Sequence, residues 1–314
     1  MIRHRAGQTA GSSVPVRLDN RVAVVTGAGR GLGREFALEL AARGAAVVVN
    51  DIGVSADASR YVPFIAADHG EPAEEEPATV AARVAAEIGR LGGSAVANAA
   101  DVAEEEGARS IVADAIRAFG RVDIVVNNAG VVITAPFEDL TADDLATVQA
   151  VHVRGSFNVA RQAWPHLVAQ EYGRIVNVCS VEGGLIGSPQ FAAYAAAKGG
   201  LIGLTCALAR DGDRHGIQVN GILPAAATRA SALSGKKRAP HVDRSPALVA
   251  AGLTWLCHEN CDASGRLYAL TAGSMRMIFN TVTSGYVFEG SGPVTPEEVR
   301  DRWEQMLRPG TGRI

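Results

Sequence analysis

A phenol, an ammonium group and a hydroxyl group lie close together in the sequence, and together they could transfer a proton. Tyr194 and Lys198 stand four residues apart in an alanine-rich run that predicts a helix, and Ser180 lies a short loop upstream. Residues four apart share one face of a helix, so the phenol and the ammonium can point into one cavity. A cation about 6 Å from the phenol oxygen, at an effective dielectric constant of about 20, lowers its pKa by roughly two units. The spacing therefore predicts a phenol that acts as acid or base, although an isolated pair of this kind is more often a packed ring beside a solvated lysine.

A glycine-rich loop near the N-terminus has the surroundings of a dinucleotide-binding turn. The apolar run at 22–25 predicts a buried strand, the loop at 26–33 follows it, and the residues up to Gly44 predict a helix. Glycines let the backbone approach a pyrophosphate, whose charge the first N–H groups of the helix can meet. A second predicted strand, 47–50, ends at Asp51, where a dinucleotide fold places the acid that binds the ribose. Without that acid, the loop could equally be an ordinary turn between a strand and a helix.

Two charged residues bear on the choice of dinucleotide. The carboxylate of Asp51 can accept hydrogen bonds from a ribose 2′-hydroxyl and would repel a 2′-phosphate at the same place. Arg30 lies inside the glycine loop, where it could pair with that extra phosphate. We give Asp51 more weight, so NAD is expected over NADP, although Asp51 could also be a solvated residue that opens the following loop.

Four stretches taken together resemble the short-chain dehydrogenase/reductase family. They are residues 26–33, Asp101 with Val102, residues 127–130, and Ser180 with residues 194–198. The resemblance covers roughly residues 19 to 275, and Gly27, Gly31 and Gly33 fill the glycine pattern of that family. It implies an α/β protein with a single-domain Rossmann fold: a doubly wound, seven-stranded parallel sheet with helices on both faces.

The resemblance also implies a role for each site residue. Tyr194 would be the catalytic acid or base, Lys198 would lower its pKa and hold the nicotinamide ribose, and Ser180 would hydrogen-bond the substrate oxygen. Asp101 and Val102 would flank the adenine. The residues expected to contact the cofactor are Gly27, Arg30, Gly31, Leu32, Gly33, Asp51, Asp101, Val102, Asn128, Ala129, Gly130, Tyr194, Lys198, Pro224 and Thr228.

Three positions depart from the family pattern. His152 stands where relatives often have an asparagine that completes a proton relay; an imidazole can relay protons through water, but a packed core histidine is an equal alternative. Ala225 replaces the usual glycine after Pro224. The segment from Ser180 to Tyr194 is one residue longer than usual, which leaves Ser188 as a weaker substitute for Ser180.

Further stretches suggest a substrate. Residues 47–51, 151–157 and 255–259 resemble the dehydrogenase part of peroxisomal multifunctional enzymes, which oxidises (3R)-hydroxyacyl-CoA with NAD. This likeness implies hydride transfer between NAD and a secondary alcohol, by a stand-alone dehydrogenase. Two alternatives stay open. One is an NADP-dependent ketoreductase acting on steroid, polyketide or carrier-bound oxoacyl substrates, which Arg30 favours; the other is a non-enzymatic dinucleotide-sensing module, which would not need the catalytic trio.

Two segments are expected to select the substrate, because ligands bind above the carboxyl ends of strands in such sheets. The segment 181–191 carries Leu185, Ile186 and Phe191, which could line an apolar pocket beside Tyr194. The segment 228–246 is a proposed mobile lid, whose cations at 236–238 could meet the phosphates of CoA or of a carrier. A solvated run of charge is the commoner explanation of such cations.

The order of predicted elements supports one main domain. Strands are predicted near 22–26, 46–50, 94–99, 122–126, 173–179, 216–222 and 267–271, and helices begin near 31, 77, 104, 141, 190 and 245. Residues 1–18 are predicted to be a flexible tail, 19–275 the dinucleotide-binding catalytic domain, and 276–314 an extension packed on it. A short helix is expected from Pro296. By family resemblance, subunits would pair as a homodimer or homotetramer.

Composition excludes other classes of protein. The formal charge of −3 gives no basic surface for nucleic acid, and no apolar run is long enough to span a bilayer. Residues 1–18 lack the apolar core of a secretion signal, so we expect a soluble, cytoplasmic protein without a membrane partner. The four cysteines are expected to be reduced and buried, and their spacing indicates no metal site.

Overall fold

A computed structural model gives the fold and describes residues 14–53, 77–225, 247–271, 273–279, 282–288 and 293–307. Its strands are β1 (Val22–Thr26), β2 (Ala46–Asn50), β3 (Ala95–Asn98), β4 (Ile124–Asn127), β5 (Gly173–Val178), β6 (Ile217–Ala225), β7 (Leu267–Thr271) and β8 (Ser274–Ile278). Its helices are α1 (Gly31–Ala42), α2 (Pro77–Arg90), α3 (Glu105–Phe119), α4 (Ala142–Gln149), α5 (Gly155–Ala169), α6 (Val181–Gly184), α7 (Ala192–Gly212), α8 (Ala247–Leu256) and α9 (Pro296–Met306). Strand and helix therefore alternate along most of the described chain.

The strands form one sheet in the order β3-β2-β1-β4-β5-β6-β7-β8. Neighbouring strands from β3 to β7 run parallel. In the middle of the sheet, Val24 of β1 lies opposite Val48 of β2 on one side and Val125 of β4 on the other. Because β1 has both β2 and β4 as neighbours, the strand order reverses there, and the carboxyl ends of β1 and β4 flank a crevice suited to a ligand. The predicted doubly wound parallel sheet is thus confirmed.

The helices cover both faces of the sheet because strand side chains alternate between two apolar layers. Ala23 and Val25 belong to the layer that also contains Phe36 of α1 and side chains of α2 and α8. Val22 and Val24 belong to the opposite layer, which contains side chains of α3, α5 and α7. Strands buried on both faces in this way read as continuous apolar runs, and that is how they were recognisable in the sequence.

Two parts of the fold differ from the sequence expectation. An eighth strand, β8, follows β7 directly and was not predicted. The single helix expected from near 141 is divided: α4 ends at Gln149, a π-helical segment occupies Ala150–Arg154, and α5 begins at Gly155. Single π-helical turns inside a helix frequently occur at functional sites.

The ends of the chain also refine the expectation. Leu18 is 2% exposed and its N–H donates to the Arg43 carbonyl at 2.8 Å, so the predicted tail ends before residue 18, and residues 1–13 lie outside the described part. The chain divides into two compact units, Met1–Arg276 and Met277–Ile314. In the second unit the predicted helix is confirmed as α9, with Thr295 and Glu298 forming a capping box. The packing of this unit on the first stays a prediction.

Two expectations from composition need correction. By length and composition alone, the helical stretch Ala192–His215 could cross a membrane, because its alanine, leucine and isoleucine residues raise its mean hydropathy. All four cysteines are free, but Cys206 is exposed rather than buried.

Candidate active site

The three candidate catalytic residues come together at the carboxyl end of β5. Ser180 follows that strand by two residues, Tyr194 lies in the first turn of α7, and Lys198 lies one turn further along the same helix. The Lys198 ammonium donates a short hydrogen bond to the carbonyl of Val178, the last residue of β5. Its Nζ lies 5.6 Å from the centroid of the Tyr194 ring. The shared helix face predicted from the four-residue spacing therefore exists, and the strand end completes the site.

Tyr194 is held by three neighbours. The His152 ring meets it edge to face at 5.5 Å, and the Phe191 ring does so at 6.0 Å. Burial raises the pKa of Tyr194 to about 12, and a hydrogen bond with the Ser180 side chain opposes that rise. The Lys198 ammonium donates its hydrogen bond to the Val178 carbonyl, so the expected lowering of the Tyr194 pKa by Lys198 stays a prediction.

Lys198 is a buried amine. It is 4% exposed, and desolvation lowers its pKa from 10.5 to about 8. Burial penalises the charged form of a group, so an ammonium in this position is protonated at neutral pH but releases its proton more readily than a surface lysine. Lys198 is therefore mostly charged at neutral pH, and it loses its proton as the pH rises through about 8.

Ser180 is oriented by the helix that follows it. It is the N-cap residue of α6, and its Oγ accepts a hydrogen bond from the Gly183 N–H at 2.9 Å. A serine hydroxyl has one proton to donate and two acceptor positions. With one acceptor position filled, the Ser180 proton remains free to point towards a substrate oxygen or the Tyr194 phenol. Ser188, the weaker substitute for Ser180, makes no comparable side-chain hydrogen bond within the described residues.

His152 lies in the π-helical segment and is 2% exposed. Its Nε2 is 2.8 Å from the Val131 carbonyl oxygen and 3.2 Å from the Val131 nitrogen, so it is anchored to the backbone that follows β4. Burial, with help from the nearby Lys198 charge, holds its pKa well below the usual value, so the imidazole is neutral at physiological pH. Its Nδ1 is buried and has no hydrogen-bond partner. The relay role of His152 stays a prediction, but the ring is a neighbour of Tyr194 rather than a remote core residue.

The glycine loop forms a cradle at the start of α1. Gly27 has a φ of +61°, and a Cβ at this position would lie 2.8 Å from the Ala129 Cα, so no larger residue fits. Gly31 has a φ of +52° and faces open space. No side chain caps the N-terminus of α1, and its first N–H groups, at Gly31, Leu32 and Gly33, are the groups that would meet a pyrophosphate. This cradle fits a dinucleotide.

The side chains of Asp51 and Asn128 form hydrogen bonds with the backbone of this glycine loop from two sides. The Asp51 Oδ2 accepts from the Gly29 N–H and its Oδ1 from the Gly53 N–H, both at 2.9 Å. The Asn128 Nδ2 donates to the carbonyls of Thr26 at 3.0 Å and Gly27 at 2.9 Å. The end of β2 and the end of β4 are therefore both bonded to the glycine loop between them.

Comparison with known proteins agrees with this geometry. Residues 21–62 and 73–239 match the sequence model of the family described as short chain dehydrogenase. The chain belongs to this family. It is 39% identical over 293 residues to peroxisomal multifunctional enzyme type 2 of Mus musculus, covering 93% of this chain and 37% of that protein. The chain thus spans little more than a third of that relative's length.

Two other relatives match along nearly their whole length. A Mycobacterium tuberculosis protein named as a short-chain type dehydrogenase/reductase is 37% identical over 291 residues, covering 92% of this chain and 94% of that protein. The crystal structure of a short chain dehydrogenase from Mycobacterium avium superposes with a TM-score of 0.76 at 32% identity, covering 95% of this chain and 98% of the other. The matched residues are thus a short-chain dehydrogenase domain, and this class of oxidoreductase acts on CH–OH groups with NAD or NADP.

The remaining predicted cofactor residues of this short-chain dehydrogenase are placed as follows. Asp101 accepts from the Ala103 N–H at 2.8 Å, and Val102 is buried, so both lie in the loop before α3; their contact with adenine stays a prediction. Gly130 lies against the His152 ring. Pro224 lies near the carboxyl end of β6, opposite Leu270 of β7. Thr228 and the proposed lid at 228–246 lie outside the described residues.

A buried hydrogen-bond chain that supports the site was not predicted from the sequence. The Asn127 Nδ2 donates to the Asn177 Oδ1 at 2.9 Å, and the Asn177 Nδ2 donates to the Thr205 Oγ1 at 2.9 Å. This chain links β4 and β5 to α7, the helix that carries Tyr194 and Lys198. Buried polar groups must be paired, so asparagines in otherwise apolar predicted strands were the signal that could have revealed it.

Proposed function

We propose that this short-chain dehydrogenase interconverts a 3-hydroxyacyl-CoA, or a similar apolar secondary alcohol, and its ketone, with NAD as the hydride acceptor. The observation that carries the proposal is the convergence of Ser180, Tyr194 and Lys198 at the carboxyl end of β5, on the same side of the sheet as the glycine cradle. The likeness to a peroxisomal multifunctional enzyme supports the substrate class.

In this proposal, side chains of the protein transfer the proton and orient the substrate and the dinucleotide. When bound, the dinucleotide supplies the nicotinamide carbon that exchanges a hydride with the substrate. The Tyr194 hydroxyl gives its proton to the substrate oxygen in reduction, and the Tyr194 phenolate takes that proton back in oxidation, while the Ser180 hydroxyl donates a hydrogen bond to the same oxygen. Lys198 would hold the nicotinamide ribose. Because the pKa of Tyr194 is about 12, the phenol is protonated at neutral pH and is ready to act as the acid.

NAD is proposed because of the position of Asp51. Its carboxylate is bonded to the glycine loop through the Gly29 N–H, so a negative charge is fixed beside the place where the adenosine ribose would lie. That charge would attract ribose hydroxyls and repel a 2′-phosphate. Arg30 precedes α1 on the same loop and is the residue that would favour NADP.

An apolar substrate is supported by the loops above the site. Leu185 and Ile186 follow α6 and remain 38% and 72% exposed, although both are large hydrophobic side chains. The Ala135 N–H donates to the Gln190 carbonyl at 3.2 Å, which brings the loop after β4, with its exposed Phe137, against the same segment. Exposed apolar side chains grouped beside a catalytic residue are typical of a hydrophobic binding site.

A substrate screen tests the proposed function. The wild-type protein is incubated with (3R)- and (3S)-hydroxyacyl-CoA of several chain lengths and with hydroxysteroids, each with NAD and with NADP, and reduced nicotinamide is followed by absorbance. We expect the highest kcat/KM with a hydroxyacyl-CoA and NAD. A preference for hydroxysteroids with NADP would replace this proposal by the ketoreductase alternative, and oxidation of none of these alcohols would refute it.

We also propose a homodimer or homotetramer and a cytoplasmic location. Phe157 on α5 and Leu145 on α4 are 46% and 37% exposed, and α7 presents small residues such as Gly200 and Gly203 to the surface. Exposed large apolar side chains beside a helix face made of small residues can be buried against a second copy of the chain. Cell fractionation would test the location.

The proposed subunit interface predicts the effect of one substitution. Phe157→Arg is expected to shift the protein towards monomers in sedimentation velocity, because a charge would replace a large apolar contact. Leu91→Arg is the matched control, since Leu91 is 74% exposed after the end of α2, away from these helices. An unchanged sedimentation coefficient for Phe157→Arg would exclude this interface.

A further inference from the structure

A single helical turn separates the strand that ends near Ser180 from the helix that carries Tyr194. This turn is α6, whose four residues run from Val181 to Gly184. The Gly184 N–H donates to the Ser180 carbonyl at 2.9 Å, and the N–H groups of Leu185 and Ile186 both donate to the Val181 carbonyl at 3.1 Å. The backbone of the turn is therefore well defined, and so is the direction of each of its N–H groups.

Gly183 makes two contacts from this turn, one to each hydroxyl-bearing residue of the site. Its N–H donates to the Ser180 Oγ at 2.9 Å. A Cβ at Gly183 would lie 2.5 Å from Cε1 and 2.7 Å from Cδ1 of Tyr194, and 3.2 Å from the Ser180 Oγ. The alpha carbon of Gly183 thus lies directly against the edge of the Tyr194 ring.

The Tyr194 ring has little room to move away from Gly183. The rings of His152 and Phe191 also pack edge to face against it. The neighbouring Gly184 also packs closely, since a Cβ there would lie 3.1 Å from the Lys198 carbonyl oxygen and 3.0 Å from the Ile202 Cδ1. The turn cannot shift outward on α7 without losing these contacts.

We propose that Gly183 is a positioning residue for the reaction. Its N–H directs the Ser180 hydroxyl, and its missing side chain sets the separation between that hydroxyl and the Tyr194 phenol. The proposal rests on the proposed function, because it takes Ser180 and Tyr194 to be the pair that handles the substrate oxygen. A misplacement of reacting groups by about 1 Å can lower a rate about 100-fold, so the position of this one backbone unit has a measurable consequence.

The test substitutes alanine for Gly183 and measures kcat, KM and dinucleotide binding. Gly183→Ala is expected to lower kcat about 100-fold and to leave the dinucleotide dissociation constant within about twofold, because the cradle residues lie elsewhere. Gly199→Ala is the matched control: it adds the same methyl group on α7, where the nearest atom, the Gly184 carbonyl oxygen, is 3.8 Å away. The control is expected to keep wild-type kcat.

Two further readouts separate positioning from a general loss of packing. If Gly183 acts through the hydroxyl pair, its substitution in a Ser180→Ala background lowers kcat by less than about tenfold, since coupled residues are not additive. The pH profile of alcohol oxidation should also move to higher pH in Gly183→Ala, because the hydrogen bond with Ser180 lowers the pKa of Tyr194. A merely structural residue would leave the profile in place.

Amide hydrogen exchange provides a test that does not depend on the Gly183→Ala protein folding. In the Ser180→Ala protein the Gly183 amide is expected to exchange about tenfold faster than in the wild type, while the Ile186 amide keeps its rate. Equal exchange of the Gly183 amide in both proteins would overturn the proposal, and so would a Gly183→Ala kcat within twofold of wild type. If the wild type oxidises no alcohol but the amide behaves as expected, the proposed function has failed and the geometry stands.

Discussion

Replacing Tyr194 by phenylalanine is expected to lower turnover by about three orders of magnitude while dinucleotide binding persists. General acid–base catalysis by one positioned side chain contributes about 10²- to 10⁴-fold, and no other hydroxyl in the site has an equivalent position. The phenylalanine ring keeps the edge-to-face contacts with His152 and Phe191. The loss is therefore expected in kcat and not in folding or in the dinucleotide dissociation constant.

Tyr268→Phe is the matched control for that substitution, because Tyr268 lies in β7, two strands away from β5, and packs against the apolar layer that contains side chains of α8. It should keep wild-type turnover.

The pH dependence of the wild type gives a second readout. Since the pKa of Tyr194 is raised to about 12, the phenolate fraction grows with every pH unit below that value, and alcohol oxidation should accelerate from neutral to alkaline pH. Near-normal turnover of Tyr194→Phe would remove the assignment.

Replacing Lys198 by methionine is expected to abolish most activity and, at the same time, to change how stability depends on pH. Turnover should fall by about 100-fold or more, because the cation beside Tyr194 and the proposed ribose contact are both lost. The stability effect follows from burial, which lowers the pKa of Lys198 from 10.5 to about 8. Unfolding restores the ordinary value, so the unfolded chain binds the extra proton between these two pH values.

The buried ammonium of Lys198 destabilises the folded protein at neutral pH. Below pH 8 the folded protein carries a buried ammonium at a cost of about 3 kcal/mol, and this cost disappears as the pH rises towards 10.5. Relative to Lys198→Met, the wild type should therefore gain free energy of unfolding between these pH values. Methionine leaves the Val178 carbonyl without its donor, so the net gain of the variant at neutral pH is smaller, about 1 kcal/mol.

Denaturant unfolding of both proteins at several pH values from 7 to about 10.5 measures this difference. The comparison cancels the titration of groups that Lys198 does not affect, such as Cys257, whose pKa burial raises to about 12. Two stability curves that run parallel across the range would show that Lys198 is not desolvated as the structure indicates.

Much of the fold was accessible from local patterns. Each of the seven predicted strands is present, since a strand buried on both faces needs an unbroken run of Val, Ile and Ala, as in 22–25 and 47–49. The glycine loop was recognisable for a similar reason: only glycine fits where the backbone passes close to Ala129 or takes the left-handed conformation of Gly31. The π-helical segment was not recognisable, because it is a local change of hydrogen-bond register inside a continuous helical stretch. Strand β8 was not recognisable either, because most of its residues are exposed and form no apolar run.

The chemistry of the site divides in the same way. Which residues could share a helix face, and which acid ends β2, followed from spacing alone, because helix and strand periodicities are fixed by the backbone. The pKa values of the site residues did not follow from spacing. Tyr194 and Lys198 titrate according to desolvation and to partners such as Val178, Ser180 and His152, and these are brought to α7 from elsewhere in the chain only by folding. The amino-acid sequence alone therefore determines which residues can serve as acid and base. The tertiary structure fixes the pKa of each, because burial and charge interactions depend on distances in space and not on the order of residues in the chain.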